Sequence, residues 1–150
     1  MSGDGVAERA AATTALEHEL GRMLRRIRRT TGRRARLVHP DLPAASYLML
    51  TAVRDSGPHR SSELAEMFAI DKGAVSRQIG RLEELGLVMR AKDPDDARAQ
   101  QVVLTEAGAE RLRKVDLVRR QWYDDRLADW SADDLNDLAE RLARYNASLD

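Results

Sequence analysis

The chain has 150 residues, 25 basic and 25 acidic side chains, no cysteine and 43% hydrophobic content, the profile of one globular domain of ordinary size. Without cysteine there is no disulfide framework, thiolate nucleophile, cysteine-ligated zinc or thiol redox switch, so the expected compartment is a reducing cytoplasm. No apolar run reaches the about 18 residues needed to cross a bilayer, and the opening residues lack a secretory pattern, so no membrane partner is expected.

Charge sums to zero but is unevenly placed. Between Glu19 and Asp41 lie Arg22, Arg25, Arg26, Arg28, Arg29, Arg33, Arg34 and Arg36 with no acid, whereas Asp116, Asp124, Asp125, Asp129, Asp133, Asp134, Asp137 and Glu140 crowd the C-terminal part. The arginine run reads as a solvated helical face, as a phosphate-facing patch, or as a partner of the acidic helices within one chain or across a dimer.

Residues 1–5 read as a tail. Leu16, Leu20, Met23, Leu24 and Ile27 then mark one apolar stripe at helical spacing, which belongs either on the chain's own domain or in a subunit interface. Thr30-Thr31-Gly32 is expected to end this helix, and His39-Pro40-Asp41-Leu42-Pro43 to lead into a second with a buried face of Tyr47, Leu48, Leu50 and Val53. Asp55-Ser56-Gly57-Pro58 stops it. Ser61 or Ser62 is the expected N-cap of a short helix ending near Ala69-Ile70, and Asp71 caps the next. That helix carries apolar positions Val75, Ile79, Leu82 and Leu85, and Gly86 terminates it.

After Gly86 the period changes from helical to alternating. Leu87–Arg90 and Gln100–Leu104 are β-prone runs around Asp93-Pro94-Asp95-Asp96-Ala97-Arg98, giving a hairpin with a charged tip. Thr105 caps a helix with Leu112, Val115, Val118 and Trp122 on its apolar face, running to about Trp130. Ser131 starts the last, lined by Leu135, Leu138, Leu142, Tyr145 and Leu149.

Catalytic chemistry finds little support. His18, His39 and His59 are far apart and outside any ligand spacing, and there is no glycine loop for phosphates and no nucleophile elbow. The paired acids Asp95-Asp96, Asp124-Asp125 and Asp133-Asp134 each have a structural use. No catalytic residue, metal or cofactor is expected, and the chain is not read as an enzyme.

Helix-turn-helix, strand, charged tip, strand is instead the winged-helix order, whose second helix reads duplex DNA. Its exposed positions are Lys72, Gly73, Ala74, Ser76, Arg77, Gln78 and Arg81, small at the front and polar behind. Small residues allow close entry into the major groove. Gln78 suits adenine, and arginine suits guanine or phosphate. Ser61 and Ser62 offer hydroxyls and N–H groups to a phosphate, and Arg98, flanked by Arg90 and Lys92, suits a narrow minor groove. Asp96 is favourable there only if it holds Arg98 or a helix arginine such as Arg81. Use of the fold as a protein-interaction module without operator binding is the alternative.

Four segments together resemble the MarR family of bacterial winged-helix transcription regulators: Ser62-Glu63-Leu64-Ala65, Val75 through Val88, Asp93 through Arg98 with its Asp96-Ala97-Arg98 signature, and Val103-Leu104-Thr105-Glu106-Ala107-Gly108. The resemblance covers about Leu16 to Leu149. It implies a mainly α fold with a small β-hairpin wing, in a single domain over residues 1–150. Residues 42–104 would form the DNA-binding lobe, with dimerisation helices over about 6–36 and 105–149. It further implies a homodimer, with Leu16, Leu20, Met23, Leu24, Ile27, Trp122, Leu138, Leu142 and Tyr145 at its interface, that reads an inverted-repeat operator in double-stranded DNA. Repression relieved by a small phenolic or anionic effector is implied as well, with His39, Tyr47 and Arg54 as pocket-wall positions. Two departures stand out: Ala69 occupies a turn position where glycine is common, and Gly80 interrupts the reader helix to permit close packing or a slight bend.

Overall fold

The computed structural model describes residues 3–149 and divides into two compact units, Met1–Arg113 and Lys114–Asp150. Elements follow in the order α1 (Gly3–Val38), α2 (Ala44–Ser56), β1 (His59–Arg60), α3 (Ser61–Phe68), α4 (Lys72–Glu84), β2 (Val88–Lys92), β3 (Gln100–Leu104), α5 (Glu106–Arg126) and α6 (Ala132–Ala147). The mainly α class with a small antiparallel wing is as expected.

α1 is longer than its sequence suggested at both ends. Gly3 to Gly5 are helical rather than tail, while residues 1 and 2 lie outside the described residues. The helix also passes through Thr30-Thr31-Gly32. Both threonines turn their hydroxyls back on the helix, Thr30 to the Arg26 carbonyl at 3.0 Å and Thr31 to that of Ile27 at 2.7 Å, so they do not compete for a non-helical backbone. Burial of Thr31, Ala35 and Val38, in a helix that packs on α2, offsets the weak propensity of Gly32.

The core of the first unit gathers Met49, Leu50, Leu64, Val75, Ile79, Leu82, Leu87, Val102 and Leu112, all at most 1% exposed. At about 1.5–3 kcal/mol for each large apolar side chain buried, this cluster supplies the main drive to fold. On α2 the buried face is Ser46, Tyr47, Met49, Leu50 and Val53, whereas Leu48, expected inside, is 42% exposed. α2 packs against α1, α4 and β3, and Leu48 lies outside the face that is buried.

The sheet has three strands in the order β1-β3-β2, all antiparallel, with His59 opposite Val102 and Val88 opposite Leu104. β1 was not expected. Its two residues tie the start of α3 to the wing.

In the second unit α6 opens on a capping box. Ser131 Oγ accepts from Asp134 N–H at 3.1 Å, and Asp134 accepts from Ser131 N–H at 2.9 Å. α5 stops at Arg126, short of Trp130, with Trp122 and Tyr123 edge to face at 5.1 Å and the Arg126 guanidinium 5.6 Å from the Trp122 ring. Val118 is 55% exposed rather than inside. No described residue of α6 is buried, and Leu135, Leu138 and Leu142 are each about two-fifths exposed. Among the described residues no helix is long and apolar enough to cross a membrane.

Candidate nucleic-acid interface

α4 is built as its sequence requires. Asp71 Oδ1 accepts from the Ala74 N–H at 2.8 Å, and this hydrogen bond holds the carboxyl below the ordinary aspartate pKa. At the other end Gly86 N–H donates to the Glu83 carbonyl and Leu87 N–H to that of Leu82, each at 2.9 Å, with Gly86 at φ 69°. This is a Schellman stop, and the positive φ is the reason for glycine there.

Val75, Ile79 and Leu82 face inward, which turns Lys72, Gly73, Ser76 and Arg77 to solvent. Ala74 and Arg81 are half-buried, and Arg81 Nη1 pairs with Glu84 at 3.0 Å. Gln78, read from its type as suited to adenine, has a partner within the chain. It is half-buried, and its amide oxygen accepts from the hydroxyl of Ser46, a fully buried residue of α2. At Gly80 an added Cβ would meet nothing within 4 Å, so no close packing contact accounts for this glycine.

α3 does not use a serine cap. Arg60 is the N-cap, Ser61 and Ser62 occupy the first helical turn, and Glu63 accepts from the Arg60 N–H at 2.7 Å. The serines therefore sit among the free N–H groups of the helix start, as a phosphate contact requires. At the other end Ala69 takes φ 51°, the left-handed conformation where glycine is usual.

In the wing, Asp93 N–H donates to the Ala99 carbonyl at 3.1 Å and closes the hairpin loop. Asp96 Oδ1 accepts from the Arg98 backbone N–H at 3.1 Å, so the acid fixes the backbone that carries Arg98 rather than neutralising its guanidinium. Nor does it hold Arg81. Lys92 and Arg98 are exposed, and Arg90 Nε pairs with Glu83 of α4 at 3.2 Å.

Between the start of α3 and the wing lies a cleft of about 580 Å³ lined by Arg60, Ser61, Ser62, Arg90, Lys92 and Arg98 among others. Four cations and two hydroxyls around one concavity suit an anionic backbone. Arg60 was not singled out from sequence, although a cation directly before a helix start opposes the helix dipole and calls for a compensating partner. That partner is Asp93, 33 positions away: Arg60 Nε donates to its Oδ2 at 2.5 Å. The side chain of Asp93 is 2% exposed, and its carboxyl is held below the ordinary range by Arg60 first and then by the Asp95 N–H.

The positions read as pocket wall have local partners. Tyr47 is buried, His39 Nδ1 accepts from Asp41 N–H at 3.1 Å, and Arg54 pairs with Asp55 at 2.6 Å. Of the positions read as interface, Leu16, Met23, Leu24 and Ile27 on α1 are 39–53% exposed and Leu20 is half-buried.

Comparison with known proteins agrees with this geometry. The MarR family model matches residues 42–99, from the lead-in to α2 to the end of the wing loop. The chain is 34% identical over 109 residues to the uncharacterized HTH-type transcriptional regulator YxaD of Bacillus subtilis, covering 73% of this chain and 76% of that one. It is 33% identical over 93 residues to the HTH-type transcriptional repressor NicR of Pseudomonas putida, covering 61% and 59%. Among solved structures it is similar to a mutant MarR from E. coli complexed with operator DNA, at TM-score 0.60 and 27% identity over 85% of this chain and 93% of that one. Carrying a helix-turn-helix, a wing and a cationic cleft between that wing and the start of α3, the chain belongs to the MarR family, as a DNA-binding transcriptional regulator and not an enzyme.

Proposed function

We propose that the protein acts as a homodimer that reads an inverted-repeat operator and represses nearby genes until a small phenolic or anionic effector releases it. The observation that carries the DNA-contact reading is the cleft, where Arg90, Lys92 and Arg98 of the wing face Ser61 and Ser62 of α3. In this reading the first turn of α3 holds a phosphate, and Lys72, Gly73, Ala74, Ser76 and Arg77 enter the major groove. Arg98 enters the adjoining minor groove. Gln78 and Arg81 sit at the edge of the reader face, each with an intramolecular partner. Asp96 contributes by shaping the Arg98 turn.

Dimerisation is supported by the exposed stripe on α1 and the wholly unburied α6, both too apolar to remain in water without cost. Two-fold symmetry then dictates half-sites about 34 Å apart. The NicR likeness supports repression. His39, Tyr47 and Arg54 are retained as the positions at which an effector is sought.

Selection of tight-binding sites from a random duplex library at fixed salt tests the reading. An inverted repeat with half-sites one turn apart is the expected product, and Arg98→Ala or Arg77→Ala should weaken its binding while the dimer persists. Recovery of nothing above background, with a protein partner co-purifying in stoichiometric amount, would replace operator binding by a protein-interaction role.

A further inference from the structure

We propose that Arg60 is a positioning residue for DNA binding: its ion pair with the buried Asp93 locks the base of the wing to the start of α3 and so sets where Lys92 and Arg98 meet the duplex. The inference rests on the reading of the wing as a DNA contact.

Asp93 is the junction of the wing. Its Oδ2 receives Arg60 Nε at 2.5 Å, its Oδ1 receives the Asp95 N–H at 2.8 Å, and its own N–H closes the hairpin on the Ala99 carbonyl. Ala99 N–H donates to the Asp96 carbonyl at 2.9 Å, and Asp96 in turn anchors the Arg98 N–H. A chain of hydrogen bonds thus runs from β1 to the backbone of Arg98. Arg60 Nη1 also lies 4.0 Å from Asp96 Oδ2. A carboxylate this buried must be paired, and an arginine whose charge is committed to two acids has little left for a phosphate. Arg60 therefore lines the cleft without being one of its principal phosphate ligands, a distinction that residue type alone does not make.

The two roles differ in sign and in salt dependence. Affinity falls with salt, and a direct phosphate contact adds about 0.9 to the magnitude of the slope of log affinity against log salt, whereas a brace adds nothing to that magnitude. The experiment compares the unsubstituted full-length chain with Arg60→Gln, the isosteric Asp93→Asn and Lys92→Gln. Each is titrated with a library-selected duplex over a range of KCl, with amide exchange followed at Asp95 and Ala99 in the absence of DNA.

The brace predicts that Asp93→Asn and Arg60→Gln each weaken binding about tenfold at unchanged slope, with exchange at Asp95 and Ala99 about tenfold faster and the interior amides of α4 unaltered. Lys92→Gln should instead lower the slope by about one. Tighter binding by Asp93→Asn would overturn the proposal, since the acid would then merely repel phosphate. So would a slope lowered by Arg60→Gln with exchange unchanged. If the unsubstituted chain binds no duplex, the DNA role of the wing falls, and exchange alone decides: faster in Arg60→Gln supports the brace, unchanged refutes it.

Discussion

At Ala69 the chain places an L-residue at φ 51° between α3 and α4, a conformation that costs about 1–2 kcal/mol for a side chain with a Cβ. Ala69→Gly removes that strain but adds freedom to the unfolded chain, worth about 0.4–1 kcal/mol in the other direction. A net gain of about 0.5–1 kcal/mol is expected in urea unfolding, and a loss would show that the turn tolerates its alanine without strain. Gln78 makes the opposite kind of case. Gln78→Leu leaves the buried Ser46 hydroxyl without its amide acceptor, which should cost about 1–3 kcal/mol, and Ser46→Ala in the same chain should recover much of it. Additive losses from the two single variants would mean that the pair is uncoupled and leave Gln78 to the DNA alone. The type of residue 78 was legible from sequence, but not its partner, because an amide on a helix face is equally suited to a base edge and to a hydroxyl 32 positions away.

Among the elements, those with strong local signals were the legible ones. α4 combines an Asp cap, a three-and-four apolar step and a glycine stop, and its boundaries agree with all three. The Gly108 of the segment following β3 was legible only through resemblance. The structure supplies its physical reason: a Cβ there would lie 2.2 Å from the Leu87 carbonyl oxygen, so α5 can begin against the turn that leads into β2 only with glycine. β1 was not legible, because two residues are too few to show alternation and their pairing with β3 is a tertiary event. The run of α1 through Thr30-Thr31-Gly32 was missed for a related reason, since burial of Ala35 and Val38 overrides a local breaker. The helix caps also carry a pH dependence. Asp71 and Asp134 are both held below the ordinary aspartate value, Asp71 first by the Ala74 N–H and Asp134 first by the Ser131 hydroxyl. A depressed folded pKa gives stability that is present above the unfolded value, near 3.8, and is lost as pH falls through the folded one. Asp71→Asn keeps a good cap without a titrating group. Its stability at pH 7 should therefore stay close to that of the parent, while its decline as pH falls below the unfolded value near 3.8 should be shallower in chemical denaturation. An equally steep acid limb would remove Asp71 from the groups that govern acid stability.

At the scale of the whole molecule, the exposed leucines of α1 and α6 need a cover. Leu16, Met23, Leu24 and Ile27 on one helix and Leu135, Leu138 and Leu142 on another are each 38–53% exposed, and covering that apolar surface would be favourable. A second copy is the proposed cover, and Leu24→Glu or Leu138→Glu, each placing a charge in that interface, should shift sedimentation toward monomer and weaken operator binding through lost avidity. The charge asymmetry gives the same association a second handle. If the arginines between Arg22 and Arg36 meet Asp124, Asp125, Asp129 or Asp133 of the second copy, raising ionic strength screens the attraction and the dimer dissociates more readily. A dissociation constant that rises between low and high salt in the parent, and less so in Asp129→Asn, is the expected result. A constant indifferent to salt would assign association to apolar burial alone and return the arginine face to solvent or to DNA phosphate.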